Sequence, residues 1–359
     1  MIGTGILPRC LLQGRRSIVS RASRRNFASA KAQERFQGVY PIVVTPFHDD
    51  ESLDLDSFRR SIAFFRRMCQ GVTITGVLGE SNRMTDDERA TLIQVAKETI
   101  DATEADDNTN FTLCVGTSHS GTAATVALSQ MAQELGADAV MVAPSKDLTA
   151  PPPLERDILE LYHRVASDAC SDGMDIVLQD HPSSTGVHMS LELMANIVEE
   201  VPSVRCIKLE SLPTVSRLAG LRDNHPVVLE QCRILTGLGA LYAGYDMEQG
   251  VTSGFMTGFA FPEILLAMYS YHAQQQEGKA QELYRKFLPL IVLEQQPAGG
   301  LAIRKEIYRQ RGLISSSHVR HPGKNISDVM QTTLQEELKR SFGELDITQP
   351  LLLEDIWNL

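Results

Sequence analysis

Short runs rich in β-branched and apolar residues recur eight times along the chain, at 40–47, 72–79, 111–117, 138–144, 175–180, 204–210, 232–237 and 251–258. Stretches with helical period separate most of them, such as 86–102, 122–135 and 154–169. Thr85 with Glu88 three residues on is a capping box that starts one helix, and Ser190 starts another. Strands alternating with helices demand a parallel sheet, because only a crossover helix can return the chain to the same end. Eight such units in about 230 residues fit a closed (β/α)8 TIM barrel better than an open doubly wound sheet. After Phe261 the periodicity is wholly helical, over 262–276, 279–295, 300–310 and 329–341, which predicts a helical appendage packed on the barrel. The expected organisation is a leader at 1–33, a barrel at 34–261, C-terminal helices at 262–345 and a tail at 346–359.

Charge separates the leader from the body. Residues 1–33 carry Arg9, Arg15, Arg16, Arg21, Arg24, Arg25 and Lys31 and no acid, so the rest of the 359-residue chain is seven charges more negative than the overall −11. An Arg- and Ser-rich, acid-free start has the composition of a transit peptide. The run Ser23-Arg24-Arg25-Asn26-Phe27-Ala28-Ser29 has the look of a mitochondrial processing site. The mitochondrial matrix is therefore the expected compartment, with a plastid or the cytoplasm as alternatives. Arg15 and Arg16 interrupt any secretory apolar core. The acidic body argues against nucleic acid and against anionic membrane surfaces as partners. No apolar run approaches the length of a membrane span. Cys10, Cys69, Cys114, Cys170, Cys206 and Cys232 are widely spaced, and the expectation is buried thiols in a reducing compartment.

Reactive side chains in such a barrel belong at the C-terminal ends of the strands. Lys208 lies inside an apolar strand, so it either reaches solvent at the strand end or faces the lumen. Apolar surroundings favour the neutral amine, the form that attacks a ketone. Glu210, two residues on, shares its face of the strand. Gln179, Asp180 and His181 end the fifth strand, and Thr185-Gly186 closes a tight turn after it. In Gly76-Val77-Leu78-Gly79-Glu80 the glycines let backbone amides approach an anion. At the eighth strand, Gly254 permits close approach and Met256 offers a soft wall. Gly237, Gly239 and Gly244 lack the spacing of a dinucleotide loop. The pairs His318/His321 and His181/His188 come without a third ligand, so no metal is expected.

These segments, in this order, resemble the dihydrodipicolinate synthase / N-acetylneuraminate lyase family over about residues 36 to 325. The resemblance is carried by the opening from Gly38-Val39-Tyr40-Pro41 to Phe47 and by Gly76-Val77-Leu78-Gly79-Glu80 followed by Met84-Thr85 and Glu88-Arg89. It continues through Gly136-Ala137-Asp138-Ala139-Val140 with Pro144, Pro182-Ser183-Ser184-Thr185-Gly186 and Ile207-Lys208. It implies a TIM barrel, usually tetrameric, that cleaves or condenses pyruvate-like 2-oxo acids through a Schiff base on Lys208, with no metal or other cofactor. It resembles dihydrodipicolinate synthase and 4-hydroxy-2-oxoglutarate aldolase in activity class. A dehydratase of a sugar-derived 2-oxo acid fits the same chemistry.

The departures are specific. Gln179 stands where the family has a proton-relaying tyrosine, and Val77 and Leu78 replace the hydroxyl pair of its carboxylate loop. Ser145 and Lys146 replace the tyrosines after the fourth-strand proline, and Ser184 replaces an arginine that holds a second carboxylate in the lysine-biosynthesis enzymes. The expected catalytic group is Lys208 with His181, Asp180 or Glu210 moving protons in the tyrosine's place. The expected substrate contacts are Val77, Leu78, Gly79, Gln179, Thr185, Gly254 and Met256, with the amides of Leu78 and Gly79 holding a carboxylate. The partners expected are a small 2-oxo acid and further copies of the chain, as a dimer or tetramer. The alternative is a non-catalytic barrel that binds a small oxo acid or acts as a scaffold. A polar pocket around Lys208 favours the enzyme, and one filled by Leu78, Phe255 and Met256 favours the scaffold.

Overall fold

A computed structural model describes residues 35–103, 111–147, 154–170 and 173–359. The leader at 1–33 and Cys10 lie outside the described residues. Eight parallel strands form one sheet: β1 (Gly38–Pro41), β2 (Gly71–Ile74), β3 (Thr112–Gly116), β4 (Ala139–Val142), β5 (Asp175–Asp180), β6 (Val204–Leu209), β7 (Arg233–Thr236) and β8 (Gly254–Thr257). Their order runs β1-β8-β7-β6-β5-β4-β3-β2, and a parallel bridge between Ile42 and Thr73 joins its two edges. The chain is thus the expected TIM barrel, with helices between the strands and a helical region after β8.

The strands are shorter than the apolar runs that mark them. In the run 72–79, β2 stops at Ile74 because Thr75 turns to a positive φ of 52°, and Val77–Gly79 form a 3-10 turn instead. The eighth strand begins at Gly254, whose φ of 139° and close approach to the Gly38 carbonyl leave no room for a Cβ.

Two sets of side chains fill the structure, as the two-residue repeat of a strand requires. Phe36, Tyr40, Ile42, Cys114, Ala139, Met141, Val177, Cys206, Leu235 and Met256 pack together inside the barrel. The alternate residues, such as Val39, Val115, Val140, Ile176, Ile207 and Phe255, join the larger core between the sheet and the helices. The Phe36 N–H donates to the Tyr40 hydroxyl over 2.7 Å, which seals the lower end of the lumen. Cys69, Cys114, Cys170, Cys206 and Cys232 are all buried and outside any disulfide among the described residues.

After β8, helices Pro262–Ala273, Glu277–Glu294, Gly300–Gln310 and Asp328–Phe342 cover one side of the barrel. The stretch 346–359 also docks: Leu351 and Ile356 are buried, and helix Leu353–Asn358 brings Trp357 Nε1 to the Tyr271 hydroxyl. One buried arginine ties these pieces together. Arg311 pairs with Glu263, donates through Nη1 to the Ala260 carbonyl (2.6 Å) and through Nε to the Ile347 carbonyl (3.0 Å), and stacks near Phe64 and Phe261. Truncating one member of a buried pair strands the other's charge. Arg311→Ala should therefore lower unfolding stability by about 3–5 kcal/mol, read from urea denaturation.

Candidate active site

The lumen of the barrel changes from apolar to charged along β6. Cys206 belongs to the packed interior, Lys208 lies one pleat higher and Glu210 one pleat above that. In-register pairing of β5 with β6 sets Gln179 beside Lys208. Ile42 and Met141 form the apolar floor of the resulting cavity. Lys208, Gln179, Glu210, His181, Val77, Leu78, Thr257, Gly258, Gln295 and Arg304 line it.

Lys208 is 5% exposed, and its Nζ lies 3.2 Å from Glu210 Oε2. The same oxygen accepts from Gln179 Nε2 over 2.8 Å, while Oε1 accepts from the Leu238 N–H over 3.2 Å. Burial alone would push the Glu210 carboxyl up, but Lys208, His181 and those two hydrogen bonds outweigh it and hold it below the usual range. Glu210 is therefore an anion at neutral pH. His181 Nδ1 stands 4.0 Å from Glu210 Oε2 and 2.8 Å from the Ser184 hydroxyl. Burial, aided by the Lys208 charge, pulls its pKa below the ordinary histidine value, and Glu210 opposes this only in part.

The Gly237–Gly239 loop is what lets this cluster close. A Cβ at Gly237 would lie 2.4–2.6 Å from three atoms of the Glu210 side chain. Gly239 has a φ of 65°, and a Cβ there would meet Gln295 at 2.0 Å. These glycines serve close packing around Glu210 and Gln295, not a dinucleotide.

Several expected site residues lie elsewhere. Asp180 follows Gln179 by one residue and so points out of the barrel, where Arg217 Nη2 approaches to 3.1 Å. Burial pushes its carboxyl up to about 6 in spite of that arginine. Thr185, in the short helix Pro182–Thr185, donates to the His181 carbonyl and does not line the cavity. Gly254 starts β8 at the end of the barrel remote from the cavity, and Met256 packs in the interior layer. The Gly79 N–H is donated to the Gly76 carbonyl (3.0 Å), so it is not available to a ligand. Glu80, in a left-handed conformation (φ 57°), is consumed by Arg83 and the buried Lys305. Among the described residues no group of three or more His, Cys, Asp or Glu is placed to hold a metal ion. No helix there is long and apolar enough to cross a membrane.

Arg304 was not among the expected residues. It comes from helix Gly300–Gln310 of the C-terminal region, is 3% exposed, and reaches the cavity beside Gln295. In sequence it reads as one charge on an ordinary surface helix. The signal was that Arg304-Lys305-Glu306 interrupts an apolar stretch from Ala302 to Ile307, and the structure buries all three.

A parallel barrel with a buried lysine and an adjacent carboxylate in a cavity at the C-terminal strand ends is a scaffold suited to Schiff-base lyase chemistry. Residues 35–341 match the model of the dihydrodipicolinate synthetase family. L-2-keto-3-deoxyarabonate dehydratase of Azospirillum brasilense is 30% identical over 304 residues, spanning 82% of this chain and 91% of that protein. The 4-hydroxy-tetrahydrodipicolinate synthase of Methanothrix thermoacetophila is 28% identical over 313 residues, with 85% and 97% covered. Among solved structures, dihydrodipicolinate synthase from Rhodopseudomonas palustris superimposes with a TM-score of 0.76 at 30% identity, covering 85% of this chain and 97% of that one. The chain belongs to the dihydrodipicolinate synthetase family. It is a lyase of the Schiff-base type acting on pyruvate or a related 2-oxo acid.

The close fit at Gly237 gives a direct test of the site geometry. Gly237→Ala must displace the whole Glu210 side chain, so turnover should fall at least about tenfold. The thermal midpoint should fall too, because displacing Glu210 disturbs a buried ion pair; steady-state kinetics and calorimetry on the same preparation check both.

Proposed function

We propose that the protein is a dehydratase of a 2-oxo acid bearing a hydroxyl two carbons from the ketone, with Lys208 as the Schiff-base lysine and Glu210 as the proton carrier. The observation that carries this reading is the 3.2 Å contact between the Lys208 amine and an anionic Glu210. An iminium on Lys208 puts the neighbouring substrate carbon within reach of that carboxylate, where a base must sit to start an elimination. The similarity to a keto-deoxy-acid dehydratase points the same way.

The steps balance without an added reactant. Glu210 takes a proton from the Lys208 ammonium; the freed amine attacks the ketone carbon, and the carbonyl oxygen leaves as water with that proton and one from the nitrogen, giving the iminium and the Glu210 carboxylate. Glu210 takes a proton from the adjacent carbon, forming the enamine. The hydroxyl at the next carbon departs with the proton that Glu210 now holds, so one water is lost. Hydrolysis of the conjugated iminium returns the amine and releases the unsaturated 2-oxo acid, which tautomerises. Gln179 orients Glu210, and His181, 4.0 Å away at the cavity mouth, connects the carboxylate to solvent. Lys208, Gln179, His181, Glu210 and Arg304 all face the cavity, Met256 and Phe255 are packed away from it, and Leu78 lines it without filling it, which supports the enzyme reading over the scaffold.

The basic, acid-free leader supports delivery to the mitochondrial matrix, and the oligomeric habit of the family supports a dimer or tetramer. A reporter fused to residues 1–33 that stays in the cytosol would refute the first, and a monomer in sedimentation the second.

Proton and product assays test the chemistry. Wild-type protein in deuterated water should exchange the methyl protons of pyruvate, observed by NMR. Glu210→Gln should slow this exchange by at least about a hundredfold, and Lys208→Arg should abolish it. With a 4-hydroxy-2-oxo acid, loss of water without release of pyruvate supports the dehydratase; stoichiometric pyruvate would make the enzyme an aldolase. Because His181 holds its proton less readily than usual, kcat/KM should stay level until the pH falls below about 6.5. Below that it should decline as His181 takes up a proton. His181→Gln should remove that acid-side inflection.

A further inference from the structure

The carboxylate loop of this chain has few donors left for a carboxylate. Val77 and Leu78 carry no hydroxyl and the Gly79 N–H is taken by Gly76, which leaves the Leu78 N–H as the expected amide without an acceptor among the described residues. A 2-oxo acid whose ketone reaches Lys208 still brings an anionic group into a nearly dry cavity, which is costly unless the protein supplies a donor.

Arg304 is placed to supply it. At Gly258, just past β8, a Cβ would touch Leu78 Cδ1 at 2.2 Å and Arg304 Nε and Cδ at 3.4 and 3.5 Å. Arg304 and Leu78 thus flank the same glycine, and both line the same cavity as Lys208. It is also under-used. Nη2 donates to Gln295 Oε1 over 2.6 Å. Nε is buried 3.3 Å from Glu294 Oε2 but makes no aligned hydrogen bond, and Nη1 donates to no acceptor among the described residues. Glu294 Oε2 also accepts from the Ala260 N–H, and burial pushes that carboxyl up to about 7 in spite of Arg304, so the arginine's charge is only partly compensated near neutral pH. The next residue, Lys305, is locked onto Glu80 of the loop, which fixes the helix against residues 76–80. An arginine held rigidly at the cavity, with Nε turned to Glu294, Nη2 on Gln295 and Nη1 uncommitted, has a charged donor left for a carboxylate.

We propose that Arg304 receives the carboxylate of the 2-oxo acid whose ketone Lys208 attacks, in place of the hydroxyls absent at Val77 and Leu78. The proposal rests on the Schiff-base role of Lys208. It makes the C-terminal helices part of substrate recognition, because the anion is bound by a residue from outside the barrel.

Borohydride trapping of the full chain tests it, with pyruvate and its uncharged methyl ester compared at increasing concentration. Wild-type protein should be half-saturated at a much lower concentration of pyruvate than of ester. Arg304→Gln should raise the pyruvate value by about 10- to 100-fold, the worth of a hydrogen-bonded charge. The ester value should change by less than about threefold, since the ester brings no charge for the arginine to meet. Arg304→Lys, which keeps the cation beside Glu294, should stay folded and keep a reduced preference for pyruvate. Equal losses for acid and ester, or no loss for either, would overturn the proposal while leaving the Schiff-base reading in place. Failure of wild-type protein to form any adduct would remove both.

Discussion

The two-residue repeat of β6, continued one residue past its end, builds the charged cluster on which the proposed chemistry rests. It aims Cys206, Lys208 and Glu210 into the lumen in succession, so an ammonium and a carboxylate meet 3.2 Å apart above a dry apolar layer. Two buried charges are tolerable only if each is paired and their remaining hydrogen-bond capacity is met. Gln179, in register on β5, and the Leu238 amide, on the loop after β7, meet that need for Glu210. Gly237 leaves the space in which the carboxylate sits. In the proposed mechanism the glutamine that replaces a tyrosine orients a carboxylate that takes the place of a phenol.

The C-terminal helices are the second support of the site. Arg311 clamps the barrel exit at Ala260 to Glu263 and to the segment around Ile347. Lys305 clamps the loop at Glu80, and burial lowers its pKa to about 8 although Glu80 opposes the change. Immediately before Lys305 the same helix, Gly300–Gln310, carries Arg304 at the cavity, and Arg311 caps its C-terminal end. Cavity lining, loop position and the closure of the fold therefore meet in one helix and its cap.

Much of this was legible in the sequence because it follows from periodicity. The alternation of strand and helix gave the barrel, and residues 208 and 210 had to share a face. The same rule, applied one residue further, places Asp180 on the opposite face from Gln179, away from the lumen. The apolar run at 251–258 reads as one long strand that would bring Gly254 and Met256 to the cavity; β8 starts at Gly254, which sets both residues too low in the lumen. Thr185 stands in a loop motif, and a loop's side-chain directions do not follow from its sequence. Arg304 lay furthest from reach, since contact between a C-terminal helix and the loop after β2 is a tertiary fact with no local pattern. The burial of Arg304, Lys305 and Glu306 in succession was its only trace.

The most direct test of the account is to trap the intact protein with borohydride in the presence of pyruvate and to map the adduct by peptide mass analysis. The account expects a single reduced adduct on the peptide that contains Lys208, and none in Lys208→Arg. A folded protein that gives no adduct with pyruvate or any other 2-oxo acid, or one modified at a different lysine, would contradict it.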